Sequence, residues 1–378
     1  MAKHIHVLIK PASSLCNLRC KYCFYADVSD LRAVKSYGRM KPATTEAMIT
    51  NIFADLDDGD ELSLMFQGGE PTMAGLHYYE HLVACVAEQT AHVKVHYAIQ
   101  TNGIVINDRW CIFLKKYEFL VGLSIDGLPM YHDMNRLDTR GRGTFGRVIH
   151  TKQMFDHYQI EYNVLCVLTN QLARNATKVF NFLKKEHIAF VQFIPCLDDL
   201  ETPTPTQQFA LEPRRFANFY TTLFYDWLNA FENGQYISIK LFDDMYNLYV
   251  RHQITACGIN GQCTVQYVIE ADGSVYPCDF YVLDEYRLGY IQNQTLKELF
   301  NQPIATDWIT QKRTLPDYCD ECPFRLQCCG GCKRMASAMY VDKNGDFCGF
   351  KTISTLFVNN IDRIQAANQR LTAVTQGV

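Results

Sequence analysis

The chain has 378 residues and is 48% hydrophobic, enough to bury the core of one large domain or two ordinary ones, which excludes a disordered polypeptide. Its 36 Lys and Arg against 40 Asp and Glu leave a net charge of -4, with no basic run of the kind that marks a nucleic-acid footprint. The apolar start at Val7, Leu8 and Ile9 stops at Lys10 and Pro11, too soon for a signal peptide, and no later segment offers about twenty uninterrupted apolar residues. A cytoplasmic protein is expected, with no nucleic-acid and no membrane partner. In that reducing compartment 16 cysteines point to metal or redox chemistry rather than to disulfides.

Apolar runs of strand length alternate with segments of helical period, the pattern of a parallel α/β sheet or barrel. Strands are predicted at His6 to Lys10, Leu62 to Phe66, Val93 to Gln100, Leu120 to Ile125, Tyr162 to Leu168 and Val191 to Pro195. Helices are predicted at Thr45 to Leu56, Tyr78 to Glu88, Asp108 to Lys116, Phe145 to His157 and Ala173 to Lys185. A further helix begins at Pro213, a favoured first-turn residue, and ends at Gly234. Its stripe of Phe216, Phe219, Tyr220, Leu223, Phe224, Trp227 and Phe231 reads as core packing. After about residue 240 the texture changes: nine of the 16 cysteines lie there, so a boundary divides 1–240 from 241–378. Strands at Tyr267 to Glu270 and Val275 to Tyr276 form a hairpin through Asp272-Gly273, and a single helix is predicted from Thr352 to Leu371.

Cys16, Cys20 and Cys23 form CxxxCxxC directly after the first strand. Three thiolates on one loop can hold three irons of a four-iron four-sulfur cluster and leave the fourth open to another ligand. A zinc site is the alternative, but it would want a fourth Cys or His close by; His4 and His6, in the strand, suit an ordinary structural or surface role. Gln67-Gly68-Gly69-Glu70-Pro71 follows the second strand, where glycines permit close backbone approach to a ligand. Gln100-Thr101-Asn102-Gly103, Ser124, Asp126 and Leu197 stand at later strand ends, where barrel chemistry gathers.

Two motifs are set aside. Gly141, Gly143 and Gly146 spell GxGxxG but stand well beyond the fourth strand, outside the context of a dinucleotide site; they read as the entry to a helix capped by Thr144. Asp55, Asp57, Asp58, Asp60 and Glu61 imitate a calcium loop, yet Gly59 falls where a ligand oxygen belongs, leaving a solvated turn. Beyond the boundary, Cys263 and Cys278 precede Cys319-x2-Cys322-x5-Cys328-x3-Cys332 and Cys348. This ordered series is a metal signal, with zinc and iron–sulfur both open on the residues alone. Cys85, Cys111, Cys166, Cys196 and Cys329 are left over as buried core thiols.

CxxxCxxC followed by Phe24 resembles the signature of radical S-adenosylmethionine enzymes. That resemblance implies a partial (β/α)6 TIM-like barrel with GGEP at the methionine end of the cofactor. The later cysteines resemble the SPASM extension, which implies two auxiliary 4Fe-4S clusters: one on Cys257, Cys263, Cys278 and Cys332, the other on Cys319, Cys322, Cys328 and Cys348. Ile9 to Ser14, Cys20 to Tyr25, Phe66 to Thr72, Phe119 to Ser124 and Tyr276 to Tyr281 resemble the anaerobic sulfatase-maturating enzymes, which oxidise a Cys or Ser of a sulfatase to formylglycine. The resemblance implies that Tyr22, Gly69, Ser124, Arg136 and Leu197 contact S-adenosyl-L-methionine, with Arg136 on its carboxylate. It implies that a 5'-deoxyadenosyl radical removes a hydrogen atom from the target Cβ, that Asp279 accepts the proton, and that the auxiliary clusters take the electron. The expected partners are a sulfatase polypeptide and an electron donor such as flavodoxin or ferredoxin. A maturase that crosslinks another ribosomal peptide, and a non-catalytic iron–sulfur electron carrier, are the competing expectations.

Overall fold

The computed structural model describes residues 2–201 and 209–376. Its strands in chain order are β1 (His4–Ile9), β2 (Leu18–Cys20), β3 (Glu61–Phe66), β4 (Lys94–Thr101), β5 (Leu120–Ser124), β6 (Arg136–Asp138), β7 (Tyr162–Leu168), β8 (Phe190–Pro195), β9 (Ser238–Ile239), β10 (Val268–Ile269), β11 (Ser274–Tyr276) and β12 (Gly289–Tyr290). The chain forms two compact units. The first is made of Met1–Ser124, Asn135–Tyr162 and Thr264–Lys312, the second of Ile125–Met134, Asn163–Cys263 and Arg313–Val378.

In the first unit β1, β3, β4 and β5 run parallel, with Ile9 opposite Phe66 and Phe66 opposite Ile99. The other edge of β1 pairs in parallel with β10, which turns back through β11. Gly273 supplies the positive φ, +85°, that this turn needs. The burial alternates along β3: Leu62, Leu64 and Phe66 are buried, as a strand with one covered face requires. Two helices cover that face through aromatic edges. Tyr79 of the helix Leu76–Ala87 lies 5.1 Å from Phe66 and 5.2 Å from Trp110 of the helix Asp108–Lys116. Asn107 caps the latter by accepting from the Trp110 N–H at 3.2 Å, with Asp108 at its positive end and Lys115 and Lys116 at its negative end. The helix predicted from Thr45 starts at Pro42 instead, because proline's fixed φ suits the first turn.

The acidic turn is more ordered than a solvated turn would be. Asp60 is buried and accepts from the Lys3 N–H at 2.7 Å and the Asp57 N–H at 2.9 Å, while Asp58 accepts from the His92 N–H. These carboxylates tie down backbone donors. His4 and His6 project from β1 as exposed side chains, as expected.

In the second unit β7, β8 and β9 are parallel, and Val164, Cys166 and Leu168 alternate inward. The helix Pro213–Glu232 buries its whole aromatic stripe and ends before Gly234 at φ +79°. Phe224 is fully buried, 5.5 Å from Phe242 and 6.1 Å from Phe357. Phe224→Ala is expected to cost about 3–5 kcal/mol through the cavity it leaves, read as a fall in the thermal midpoint at fixed scan rate. The single C-terminal helix expected from Thr352 is two, Gly349–Val358 and Ile361–Gln376. Asn359 and Asn360 separate them: the Asn360 side chain donates to the Leu356 carbonyl at 2.9 Å, the local competition that makes asparagine a poor helix interior. Cys85, Cys111, Cys166 and Cys196 are buried thiols. Cys329 is not: it is exposed at φ +43°, because it closes the short helix Arg325–Cys328. Among the described residues no helix is long and apolar enough to cross a membrane.

Candidate active site

The CxxxCxxC segment leaves β1 through a tight turn and is held by three later segments of the first unit. Its middle is β2, paired antiparallel with β6 so that Cys20 stands opposite Arg136. Burial first, then the neighbouring Glu70 and Cys23 charges, push the Cys16 thiol up to about 11, against the opposing Leu18 N–H. Such a thiol becomes a thiolate readily only when a positive centre receives it.

Gln67 to Pro71 lies against the same turn. The Gly69 N–H donates to the Ser13 carbonyl and the Glu70 N–H to the Leu15 carbonyl, both at 2.8 Å. A Cβ on Gly69 would stand 2.3 Å from the Leu15 carbonyl oxygen, so only glycine lets the two loops touch. Glu70 is completely buried and gathers four donors: the Thr72 N–H and hydroxyl, the Thr101 hydroxyl at 2.7 Å and the Asn102 N–H at 2.7 Å. Asn102 also donates to the Asn17 side chain at 2.7 Å. Gln100-Thr101-Asn102-Gly103 and GGEP therefore form one bracket around the cysteine loop. Burial raises the Glu70 carboxyl above its ordinary value, against these donors.

Of the five residues expected at the cofactor, four fall in this unit. The Arg136 guanidinium lies over the Tyr22 ring, 5.6 Å from its centre. Gly69 lies in the bracket, and Ser124, at the end of β5, accepts from Gln100 at 3.1 Å. Leu197 belongs to the second unit and follows β8. Asp126 serves structure there, accepting from the Val167 N–H at 3.0 Å.

Asp279 opens a one-turn helix after Cys278. Lys10 donates to its Oδ1 at 2.5 Å and Gln67 to its Oδ2 at 3.0 Å, and its side chain keeps 14% exposure, against none for Lys10. Lys10 Nζ also sits 3.8 Å above the Tyr25 ring. The Tyr25 hydroxyl donates to Glu270, which takes Arg32 at 2.7 Å on the same oxygen. Two cations and two carboxylates thus compensate one another around a tyrosine whose hydroxyl burial and the Glu270 charge keep protonated. Sequence reading missed Lys10, Gln67, Tyr25, Glu270 and Arg32 as one group. The available signal was a lysine directly after the apolar run Val7 to Ile9.

In the second unit Cys319, Cys322, Cys328 and Cys348 line one cavity with Tyr340 and Phe350. Burial first, and then neighbouring thiols among other charges, raise Cys328 to about 12 and shift Cys319 and Cys348 upward. Cys263 is raised by burial, with Cys332 also contributing, and Gly258 lies so near Cys332 that a Cβ would stand 2.8 Å from its Cβ. Among the described residues no three Cys, His, Asp or Glu side chains converge as around a single ion. A cubane gives each thiolate its own iron, so its ligands stand at separate corners. A cysteine-lined cavity and a glycine-tight cradle fit clusters of that kind.

Residues 11–172 match the Radical SAM superfamily and residues 257–323 the SPASM iron-sulfur cluster-binding domain. The cysteine-type anaerobic sulfatase-maturating enzyme of Clostridium novyi (strain NT) is 38% identical over 96% of this chain and 96% of its own. That of Clostridium perfringens (strain ATCC 13124) is 42% identical over 87% and 89%. The solved structure of native anSMEcpe with bound AdoMet and Kp18Cys peptide, 38% identical, superposes with a TM-score of 0.86 over 97% of this chain and 99% of that one. Fold and site together define a radical S-adenosylmethionine enzyme with a SPASM domain, an α/β protein with the partial-barrel fold expected from the sequence. Within that class, the chain belongs to the anaerobic sulfatase-maturating enzymes. Enzymes of this class work with S-adenosylmethionine and iron–sulfur clusters.

Proposed function

We propose that the chain oxidises a cysteine of a sulfatase to Cα-formylglycine, with Asp279 as the proton acceptor. The observation that carries this reading is the Asp279 carboxylate, held at one oxygen by Lys10 and at the other by Gln67, in a chain of this family. When bound, S-adenosylmethionine and its cluster supply the acceptor of a hydrogen atom from the target Cβ, and the SPASM clusters take up the remaining electron. Asp279 receives the thiol proton: Lys10 and Gln67 fix its plane, and the lone pairs they leave are reached from the exposed side. The thioaldehyde that results hydrolyses to the aldehyde and releases sulfide; a serine target gives the aldehyde directly. The cysteine-type relatives favour a cysteine target.

Cys16, Cys20 and Cys23 hold the cluster that meets the cofactor. Cys257, Cys263, Cys278 and Cys332 hold the first auxiliary cluster, and the four cavity cysteines hold the second; placing Cys278 in the first set rests on the family's pattern. Tyr22, Gly69, Ser124, Arg136 and Leu197 contact S-adenosylmethionine. Along the sequence a barrel part precedes residue 240 and an auxiliary-cluster part follows it, a reading supported by the two family matches falling on either side, although each compact unit draws residues from both parts. A flavodoxin or ferredoxin in the cytoplasm is the electron donor, since each turnover begins with one electron. Gly69→Ala is expected to weaken S-adenosylmethionine binding by about tenfold or more, about 1.4 kcal/mol, in anaerobic equilibrium titration, because the bracket must open for the new Cβ.

Anaerobic turnover of a sulfatase-motif peptide in Cys and Ser versions, with mass spectrometry after hydrazine trapping, tests the whole reading. A trapped aldehyde on the Cys peptide is the expected product. A crosslink instead, or an untouched peptide beside cleaved S-adenosylmethionine, overturns it.

A further inference from the structure

We infer that the turn built on Asp138 is a positioning element for the cofactor, setting Arg136 and the strand that carries Cys20 in one register. This rests on the proposed contact of Arg136 with S-adenosylmethionine. Every part of the turn lies within the first unit.

β2 and β6 form a two-stranded ribbon of their own, with Leu18 opposite Asp138, Arg19 opposite Leu137 and Cys20 opposite Arg136. A ribbon this short cannot hold its own register. What holds it lies in the segment that spells GxGxxG. The Asp138 carboxylate accepts the Arg140 and Arg142 N–H groups on Oδ1 at 2.9 and 3.0 Å. On Oδ2 it accepts the Arg142 Nε and Nη2 at 3.0 and 2.8 Å and Arg147 at 3.4 Å. Gly141, at φ +74°, lets its N–H return to the Asp138 carbonyl at 2.9 Å. Leu137 bridges to Gly143, extending the ribbon on the far side. Thr144, expected to cap the following helix, makes no side-chain cap; its hydroxyl donates to the Arg136 carbonyl at 2.8 Å.

The backbone of Arg136 is therefore gripped from both sides, by Cys20 across the ribbon and by Thr144 behind it, while Asp138 pins the turn that brings Thr144 there. The Asp138 carboxylate is 7% exposed and receives the Arg142 guanidinium through two nitrogens, the geometry in which an ion pair fixes orientation. Outer groups of this kind set the reach of those that touch the ligand. The Arg142 backbone N–H first, and its side chain next, hold the Asp138 carboxyl down to about 2. The turn is thus charged across the working range, and its loss has the same effect at every assay pH.

Asp138→Asn places an amide donor against the Arg142 and Arg147 guanidiniums and opens the turn. S-adenosylmethionine binding to the cluster-loaded enzyme is then expected to weaken about tenfold, by anaerobic titration and by the change the cofactor makes in the electron paramagnetic resonance spectrum of the reduced protein. The KM for the peptide stays unchanged. Arg142→Gln, at a side chain 62% exposed, keeps the backbone N–H that Asp138 accepts and removes only the guanidinium; it is expected to weaken cofactor binding about threefold, with a small fall in the thermal midpoint and an unchanged circular dichroism spectrum at assay temperature. Arg136→Ala is the companion measurement. If it weakens cofactor binding while both turn variants bind as the parent does, the positioning role is overturned and the Arg136 contact stands. If Arg136→Ala also binds normally, both fall.

Discussion

Asp279→Asn is expected to abolish formylglycine formation, by about 10²–10⁴-fold, the usual worth of a positioned general base, while S-adenosylmethionine cleavage and iron content persist. The amide keeps the size of the carboxylate and can still accept from Gln67, so the change removes basicity and charge rather than shape. Uncoupled cofactor cleavage without aldehyde, measured as 5'-deoxyadenosine against hydrazine-trapped product, is the signature. Unchanged product yield would remove Asp279 from the chemistry.

The same substitution exposes a second effect. Lys10 has no solvent contact, and a fully buried ammonium stripped of its counter-charge is among the costliest defects a fold can carry, about 3–5 kcal/mol. Lys10→Met is expected to destabilise by a comparable amount, because it leaves Asp279 facing Gln67 alone and removes the cation from the Tyr25 ring. It should also lower aldehyde yield, since one of the two grips on the carboxylate is gone. The double variant Lys10→Met/Asp279→Asn replaces the pair with groups that carry no charge and is expected to regain most of the lost thermal stability while remaining inactive. A cycle over the four proteins separates stability from chemistry; additive losses in stability would mean that Lys10 and Asp279 act independently.

The strands and the helices of the parallel units could be read from the chain because their signals are local: β7 and the helix Asp108–Lys116 fall where hydrophobic period places them. The cysteine series could be read for the same reason, since the thiols of each short loop sit a few residues apart. The surroundings of Asp279 could not. Lys10 and Asp279 are 269 positions apart, Gln67 and Asp279 212, Tyr25 and Glu270 245, and no spacing rule reaches across such distances. Thr144 shows the limit in miniature. Its position at the start of a helix was legible, but its hydroxyl donates to the Arg136 carbonyl eight residues back, and its side chain makes no cap on the helix that follows. The Asn359-Asn360 break escaped notice because neither Gly nor Pro marks it.

The pairing of β1 with β10 reaches into how the molecule is made. The Leu8 and Lys10 amides donate to the Tyr267 and Ile269 carbonyls, so β1 waits through some 260 residues of synthesis before that edge is covered. Until then an unpaired strand edge and an unneutralised Lys10 face the cell together, the combination most prone to wrong association. A fragment ending at residue 240 would keep that nascent state for good, so the barrel part is expected to aggregate when produced without the rest.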